Sequence, residues 1–279
     1  MGARDTWSSW RPGSARTRRT DIELHKIRNG LGSARSCLVA VVIRKVLDSV
    51  FLARTGLSAC ALYSPWALRR TIGALRFRYV ERTLPRVFVE RSAVFVHVPK
   101  AAGHSISTAL FGGVIGHRTL RDYESVASGG LGRFFVFSFV RNPWDRLYSS
   151  YCYLCRGGNG RPPDTGFGGM LAAAYPSFES FVHDFLTPRT IYSYYHFVPQ
   201  AEFLVSRERA CGADFVGRFE RLEEDFAQVA QRLGCEGNLP RLNVSGAGDY
   251  RQAYSRAMWA KVGELYSVDC RMFGYTGRD

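Results

Sequence analysis

The hydrophobic pattern is sharpest between Ala93 and Ile106, AVFVHVPKAAGHSI. Its opening residues are almost all apolar and largely β-branched, as in a strand buried on both faces. Pro99 ends that strand, because proline cannot donate to a ladder. Lys100, Ala101, Ala102, Gly103 and His104 then predict a tight turn, and the spacing of Ile106, Ala109 and Leu110 predicts a helix from Ser105. Arg133 to Val140 (RFFVFSFV) predicts a second interior strand, followed by Arg141-Asn142-Pro143-Trp144-Asp145-Arg146 and the helical pattern LYSSYCYL. Gly157 to Gly169 (GGNGRPPDTGFGG) reads as a long Gly/Pro surface loop or lid, and Tyr175 to Thr187 as a short amphipathic helix behind a Pro-Ser start. ADFVGRF, residues 213–219, predicts a third strand, with a helix over Glu220 to Leu233 after it. Strands alternating with helices predict an α/β fold, a central, mostly parallel sheet flanked by helices.

Two strand ends carry candidate chemistry. A small-residue turn with a lysine, leading into a helix N-terminus, gathers backbone N–H groups, the helix dipole and the charge of Lys100 around one anion. An ordinary βα turn with a surface lysine has the same pattern, and this stretch alone does not separate the two. At the second strand end, Arg141 precedes Ser149 by about two helical turns. An Arg fork and a hydroxyl converging on one group suit a phosphate monoester. Both lie where open α/β sheets bind ligands, at the carboxyl ends of strands.

At this point the chain resembles a known family. VPKAAGHS is similar to the 5′-phosphosulfate loop, and FVRNPWDRLYSSY to the 3′-phosphate loop, of sulfotransferases that use 3′-phosphoadenosine 5′-phosphosulfate (PAPS). The closer likeness is to carbohydrate sulfotransferases, including bacterial relatives of the Golgi enzymes. HFVPQAEFL, ADFVGRFERLEEDF, LPRLNVS and YRQAYSRAMWAKVGELYSVDCRMFGY extend it, in family order, from about Ala93 to Tyr275.

The resemblance implies a three-layer P-loop-like fold and sulfuryl transfer from PAPS to a carbohydrate hydroxyl, with no metal needed. Backbone N–H groups around Ala102, Gly103, His104 and Ser105 are expected to hold the 5′-phosphate. Lys100 is expected to stabilise the leaving oxygen, and Arg141 with Ser149 to clamp the 3′-phosphate. His104 departs from the family, whose members usually carry a threonine there. Its imidazole or backbone N–H is expected to substitute, with weaker donor affinity. His117, in GHRTLRDY, follows the first loop's helix, where the resemblance places a similar segment beside the transferred group; an imidazole near neutral pKa suits deprotonating a hydroxyl. His97 reads as core. His196 matches a family position and is open between structural support and lining of the acceptor side. Tyr192, Tyr194 and Tyr195 either stack on a sugar or pack.

Charge divides the chain. Of its formal +14, residues 1–91 carry +12, from 18 Lys and Arg against 6 Asp and Glu, so the remainder is nearly neutral. Residues 1–90 therefore read as a basic leader and 91–279 as the sulfotransferase domain, a length that buries a full core. Met1 to Gly30 is polar, without apolar periodicity, and is expected to be disordered. The uninterrupted apolar run in Cys37 to Ala53 is too short to span a membrane and is a poor signal peptide. Leu68 to Leu84 fits a helix packed on the domain with a solvated basic face better than one lying on anionic lipid. The expected location is accordingly cytoplasmic, with peripheral contact at the inner membrane surface if the leader docks there. Nucleic acid is disfavoured, since the domain has no recognisable binding module and no basic–aromatic interleaving.

The seven cysteines are odd in number and scattered, and Cys152 and Cys155 form a CxxC inside a predicted helix without a partner pair. Reduced, packed thiols are expected rather than zinc. Glu220, Glu223, Glu224 and Asp225 read as acids at a helix start, where the dipole favours them, rather than as a metal cluster. Asn243 to Arg251 reads as a flexible loop that lacks the lysine relatives often place over the nucleotide, and its Asn243-Val244-Ser245 is a sequon only in form. In another reaction class, a P-loop kinase or nucleotide hydrolase shares the strand–loop–helix plan. Walker A, however, ends its loop in Gly-Lys-Ser/Thr, whereas here the lysine opens the loop. A non-catalytic nucleotide-binding relative is the third reading, against which Lys100, His117, Arg141 and Ser149 all stand intact.

Overall fold

A computed structural model describes residues 83–235, 239–240 and 249–276. The expectations for Met1 to Gly30, Cys37 to Ala53 and nearly all of Leu68 to Leu84 fall outside these residues, as does most of the Asn243 to Arg251 loop. Among the described residues, three strands, β1 (Ala93–Val96), β2 (Phe135–Val140) and β3 (Phe215–Arg218), form one sheet in the order β1-β2-β3. Both pairings are parallel, with Ala93 opposite Phe135 and Phe137 opposite Phe215. β2 is central, and every residue after Phe135 is buried; β3, at an edge, buries only Gly217. The expected α/β class and parallel sheet are therefore present, with each strand shorter than its apolar run. Apolarity reports burial, while pairing lasts only as far as the neighbour extends.

Helices complete the layers: α1 (Arg86–Arg91), α2 (Gly103–Phe111), α3 (Leu120–Val126), α4 (Pro143–Cys155), α5 (Asp164–Ala174), α6 (Phe178–Ser180), α7 (Ala201–Leu204), α8 (Leu222–Arg232), α9 (Arg256–Leu265) and α10 (Ser267–Phe273). Leu84 and Phe88, before and within α1, join the core around the sheet, beside Phe95, Phe137 and Leu110. A second, aromatic core gathers Trp144, Tyr151, Phe167, Phe181 and Phe197 with Val262 of α9. Buried charges tie the parts together. Asp269 of α10 accepts from the backbone N–H groups of Gln200 and Ala201 at 2.9 Å each, at the start of α7. Arg146, only 1% exposed, donates to the carbonyls of His196 and Val198.

Several local expectations are corrected. α2 begins at Gly103, two residues before Ser105, because Ala102 supplies a left-handed N-cap (φ 60°) and Gly103 and His104 join the first turn. The helix expected over Glu220 to Leu233 opens with a 3-10 turn, Phe219–Arg221, before α8. The helix expected over Tyr175 to Thr187 is one turn of α6, capped by Ser177, continued by a π turn at Phe181–Phe185.

The largest correction concerns Gly157 to Gly169. Its second half is α5, in which Phe167 and Leu171 are buried and Gly168 lies against α4. A Cβ on Gly168 would sit 2.0 Å from the backbone oxygen of Leu154. Glycine here is a close helix contact rather than a loop marker. Gly168→Ala therefore forces α4 and α5 apart and costs about 3 kcal/mol or more, the upper end for overpacking. A lowered urea midpoint with an unchanged m-value checks this; wild-type stability would refute the contact.

Candidate active site

The first loop runs from the end of β1 to α2. Lys100 (φ 69°) and Ala102 (φ 60°) both occupy the left-handed region, a strained choice for residues bearing a Cβ. Such turns aim successive N–H groups toward one side, and Ala102 makes no side-chain cap. Gly103 is required for another reason. A Cβ there would lie 1.9 Å from the ring of His97, so its absence lets that imidazole pack against the loop.

A cavity of about 950 Å³ opens at the carboxyl ends of the strands. Lys100, Ala102, Gly103, His104, Ser105, His117, Arg141 and Ser149, all singled out from the sequence, line it together. Residues from segments far apart in sequence thus converge on one space, as expected of a ligand site in an open α/β sheet.

Arg141 is held from every side. Its Nε and Nη2 donate to both oxygens of Asp145, at 2.7 and 2.8 Å, and Nη1 donates to the Lys100 carbonyl at 3.1 Å. Its guanidinium lies 4.0 Å from the centre of the Phe219 ring. Its backbone is pinned by Gln200, whose Oε1 accepts from the Arg141 N–H and whose Nε2 donates to the Arg141 carbonyl. The two loops are therefore bolted together through Arg141. On α4, the Ser149 hydroxyl is buried and has no hydrogen-bond partner. A buried hydroxyl left unpaired costs about 1–3 kcal/mol, so a ligand oxygen here would relieve a standing penalty.

Lys100 places Nζ 4.2 Å from the centre of the Tyr153 ring. Burial, reinforced by Arg141, lowers its pKa to about 8. His117 donates from Nδ1 to the His97 carbonyl at 3.0 Å, which leaves Nε2 as the lone-pair nitrogen. Burial is the main reason its pKa falls to about 4, below the near-neutral value expected from the sequence, with His104 and Lys100 adding to the shift. His104 is also lowered, by burial and then by Lys100. These imidazoles are therefore neutral hydrogen-bonding groups at neutral pH.

A family model described as the sulfotransferase family matches residues 86–276. The chain belongs to the sulfotransferase family. It is also similar to an uncharacterized protein of Archaeoglobus fulgidus, 28% identical over 120 residues that cover 43% of this chain and 84% of the relative. No solved structure matches.

For a sulfotransferase, the structure revises several sequence readings. His97 is buried, but it is more than core: its ring lines the cavity and lies 4.0 Å from that of His117. His196 is buried and lines the same cavity, with Nδ1 unpartnered and its ring 4.1 Å from that of Tyr195. Tyr194 is packed, whereas Tyr195 lines the cavity 5.2 Å from His117, ring to ring. Glu220 is structural in part, accepting from the Asn142 N–H and the Tyr275 hydroxyl. Among the described residues, no group of three or more His, Cys, Asp and Glu could hold a metal ion, and no helix is long and apolar enough to cross a membrane.

Sequence reasoning missed Asp145, Tyr153, Phe219 and Asp164. The first two had a signal: Asp145 lies four residues after Arg141, and Tyr153 four after Ser149, one helical turn on the same face. The segment carrying His117 was signalled as well, since Thr119 and Asp122 form the capping box that starts α3. Phe219 and Asp164 had none, because their partners are remote in sequence.

Proposed function

We propose that this sulfotransferase moves a sulfuryl group from PAPS to a hydroxyl of a carbohydrate. The observation that carries the donor assignment is the buried, unpartnered Ser149 hydroxyl in the cavity that also holds Arg141. A nucleotide with a 3′-phosphate supplies the acceptor oxygen that Ser149 lacks. Lys100 and the N–H groups from Ala102 to Ser105 form a second anion station in the same cavity, suited to the 5′-phosphosulfate. The Tyr153 and Tyr195 rings, with Asn159, line the cavity as well, and flat aromatic faces beside polar groups suit a sugar ring.

In the proposed step, the acceptor oxygen forms a bond to sulfur as the bond from sulfur to the bridging phosphate oxygen breaks. Nε2 of His117 takes the acceptor proton, its other nitrogen being committed to the His97 carbonyl. Lys100 and the loop N–H groups neutralise the charge that develops on the departing bisphosphate. Most of the acceleration then comes from positioning and fixed electrostatics.

Calorimetry tests the donor half directly. Adenosine 3′,5′-bisphosphate should bind far more tightly than AMP or ATP, and Ser149→Ala should remove about 1.5–3 kcal/mol of that binding, the worth of a charge-assisted hydrogen bond. Equal binding of ATP and the bisphosphate would overturn the assignment. Labelled PAPS offered with a panel of glycans tests the acceptor half, by transfer of label.

A further inference from the structure

Behind the cavity lies a carboxylate to which the proposed reaction gives no role. Asp164, the first residue of α5, is 1% exposed. Three phenols donate to it: Tyr153 to Oδ2 at 2.8 Å, Tyr195 to Oδ1 at 3.1 Å, and Tyr194 also to Oδ1. The loop before α5 closes over it, so that a Cβ on Gly158 would lie 2.4 Å from the Asp164 Cβ. Two of these tyrosines face the reaction space. The Tyr153 ring lies under Lys100, and the Tyr195 ring lies beside His117. Both rings also contact His196, at 5.1 and 4.1 Å between centroids.

We propose that Asp164 is the positioning residue of this site: one buried carboxylate fixes the phenols of Tyr153 and Tyr195, and their rings set where Lys100 and His117 sit. The inference rests on the roles proposed for those two residues. Chemistry favours this arrangement over simple packing. A tyrosine ring can rotate about its side-chain bonds, but a phenol tied to a buried anion is held at its far end. Charge-assisted hydrogen bonds are the stronger kind, and at a helix N-terminus the macrodipole supports the anion. Burial raises the phenol pKa values of Tyr153 and Tyr195, so both remain donors.

Asp164 also acts on Lys100 through space. The groups around Lys100 are Arg141 and Arg156, which depress its pKa, and Cys152 and Asp164, which raise it. Around His117, His104 and Lys100 depress and Asp164 raises. Removing the carboxylate therefore lets both pKa values fall further. Lys100 would lose its proton at lower pH, and the alkaline limb of the activity profile would move the same way.

The test compares wild type with Asp164→Asn, Tyr153→Phe and Tyr195→Phe. Binding is read with adenosine 3′,5′-bisphosphate, turnover with labelled PAPS and a glycan that accepts label, and the Lys100 titration by NMR of its side-chain nitrogen. Asp164→Asn should turn over about 10²-fold more slowly at saturating donor, the scale of a misplaced reacting group. Its Lys100 midpoint should also fall below the wild-type value. Tyr195→Phe should lose turnover without moving that midpoint, a split that a merely structural role would not produce. A folded Asp164→Asn with wild-type turnover and an unchanged Lys100 midpoint overturns the inference. If Asp164→Asn does not fold, Tyr153→Phe and Tyr195→Phe decide, and wild-type turnover in both overturns it. Failure of wild type to bind the bisphosphate would instead sink the donor assignment, while the Lys100 midpoint would still report on Asp164.

Discussion

His117→Ala should lower turnover by roughly 10²–10⁴, the range for losing a general base, with bisphosphate binding nearly unchanged. The geometry gives the reason. Nδ1 is occupied by the His97 carbonyl, so the ring presents Nε2 in the form that accepts a proton. His104→Ala should behave in the opposite way, weakening donor binding with a smaller effect on turnover at saturation. His104 lies in the first turn of α2, within the phosphate loop's helix start, whereas His117 lies beyond that helix, next to Tyr195. Stopped-time assays with labelled PAPS, paired with calorimetry, separate the two effects. Near-normal turnover of His117→Ala would end its catalytic assignment and leave the donor assignment standing.

Lys100→Met should cost about 10²–10³ in turnover, the scale of removing one preorganised charge stabiliser. It should also change the pH profile in a defined way. The Lys100 pKa lies near 8, so its charge is complete below that value and is lost as pH rises through it. The His117 pKa lies near 4, so its lone pair is available above that value and is lost below. For the free enzyme, kcat/KM should therefore form a plateau bounded by limbs near pH 4 and pH 8. In Lys100→Met the upper limb should disappear, while the lower limb should remain and move somewhat upward, because the Lys100 charge no longer depresses the His117 pKa. A methionine variant that keeps the limb near pH 8 would assign that limb to another group.

Both phosphate-loop candidates could be read from the chain because each is local. A buried strand, a turn and a helix start follow one another within about a dozen residues, and the spacing of Arg141 and Ser149 is helical. Local backbone preference and burial periodicity determine such units with little help from the rest of the molecule. The boundaries were less legible. α2 starts at Gly103 because Ala102 supplies its left-handed N-cap, while glycine is needed at 103 because His97 occupies the space of a Cβ and at 168 because α5 packs there against the Leu154 carbonyl. In both cases glycine looked like punctuation and was in fact a contact.

By itself, the sequence determined the α/β class and the order of the motifs, and it singled out eight residues that the fold brings to one cavity, because strand ends in such folds point the same way. Only the tertiary structure decided how those residues are held. Phe219 beneath Arg141, and Asp164 gathering phenols from α4 and from the segment before α7, join segments remote in sequence, whereas the Arg141–Asp145 pair, four residues apart, is local. Side-chain identity says what a group can donate or accept. Which partner it finds, and how far burial shifts its pKa, depends on the distances and the lost water that packing creates.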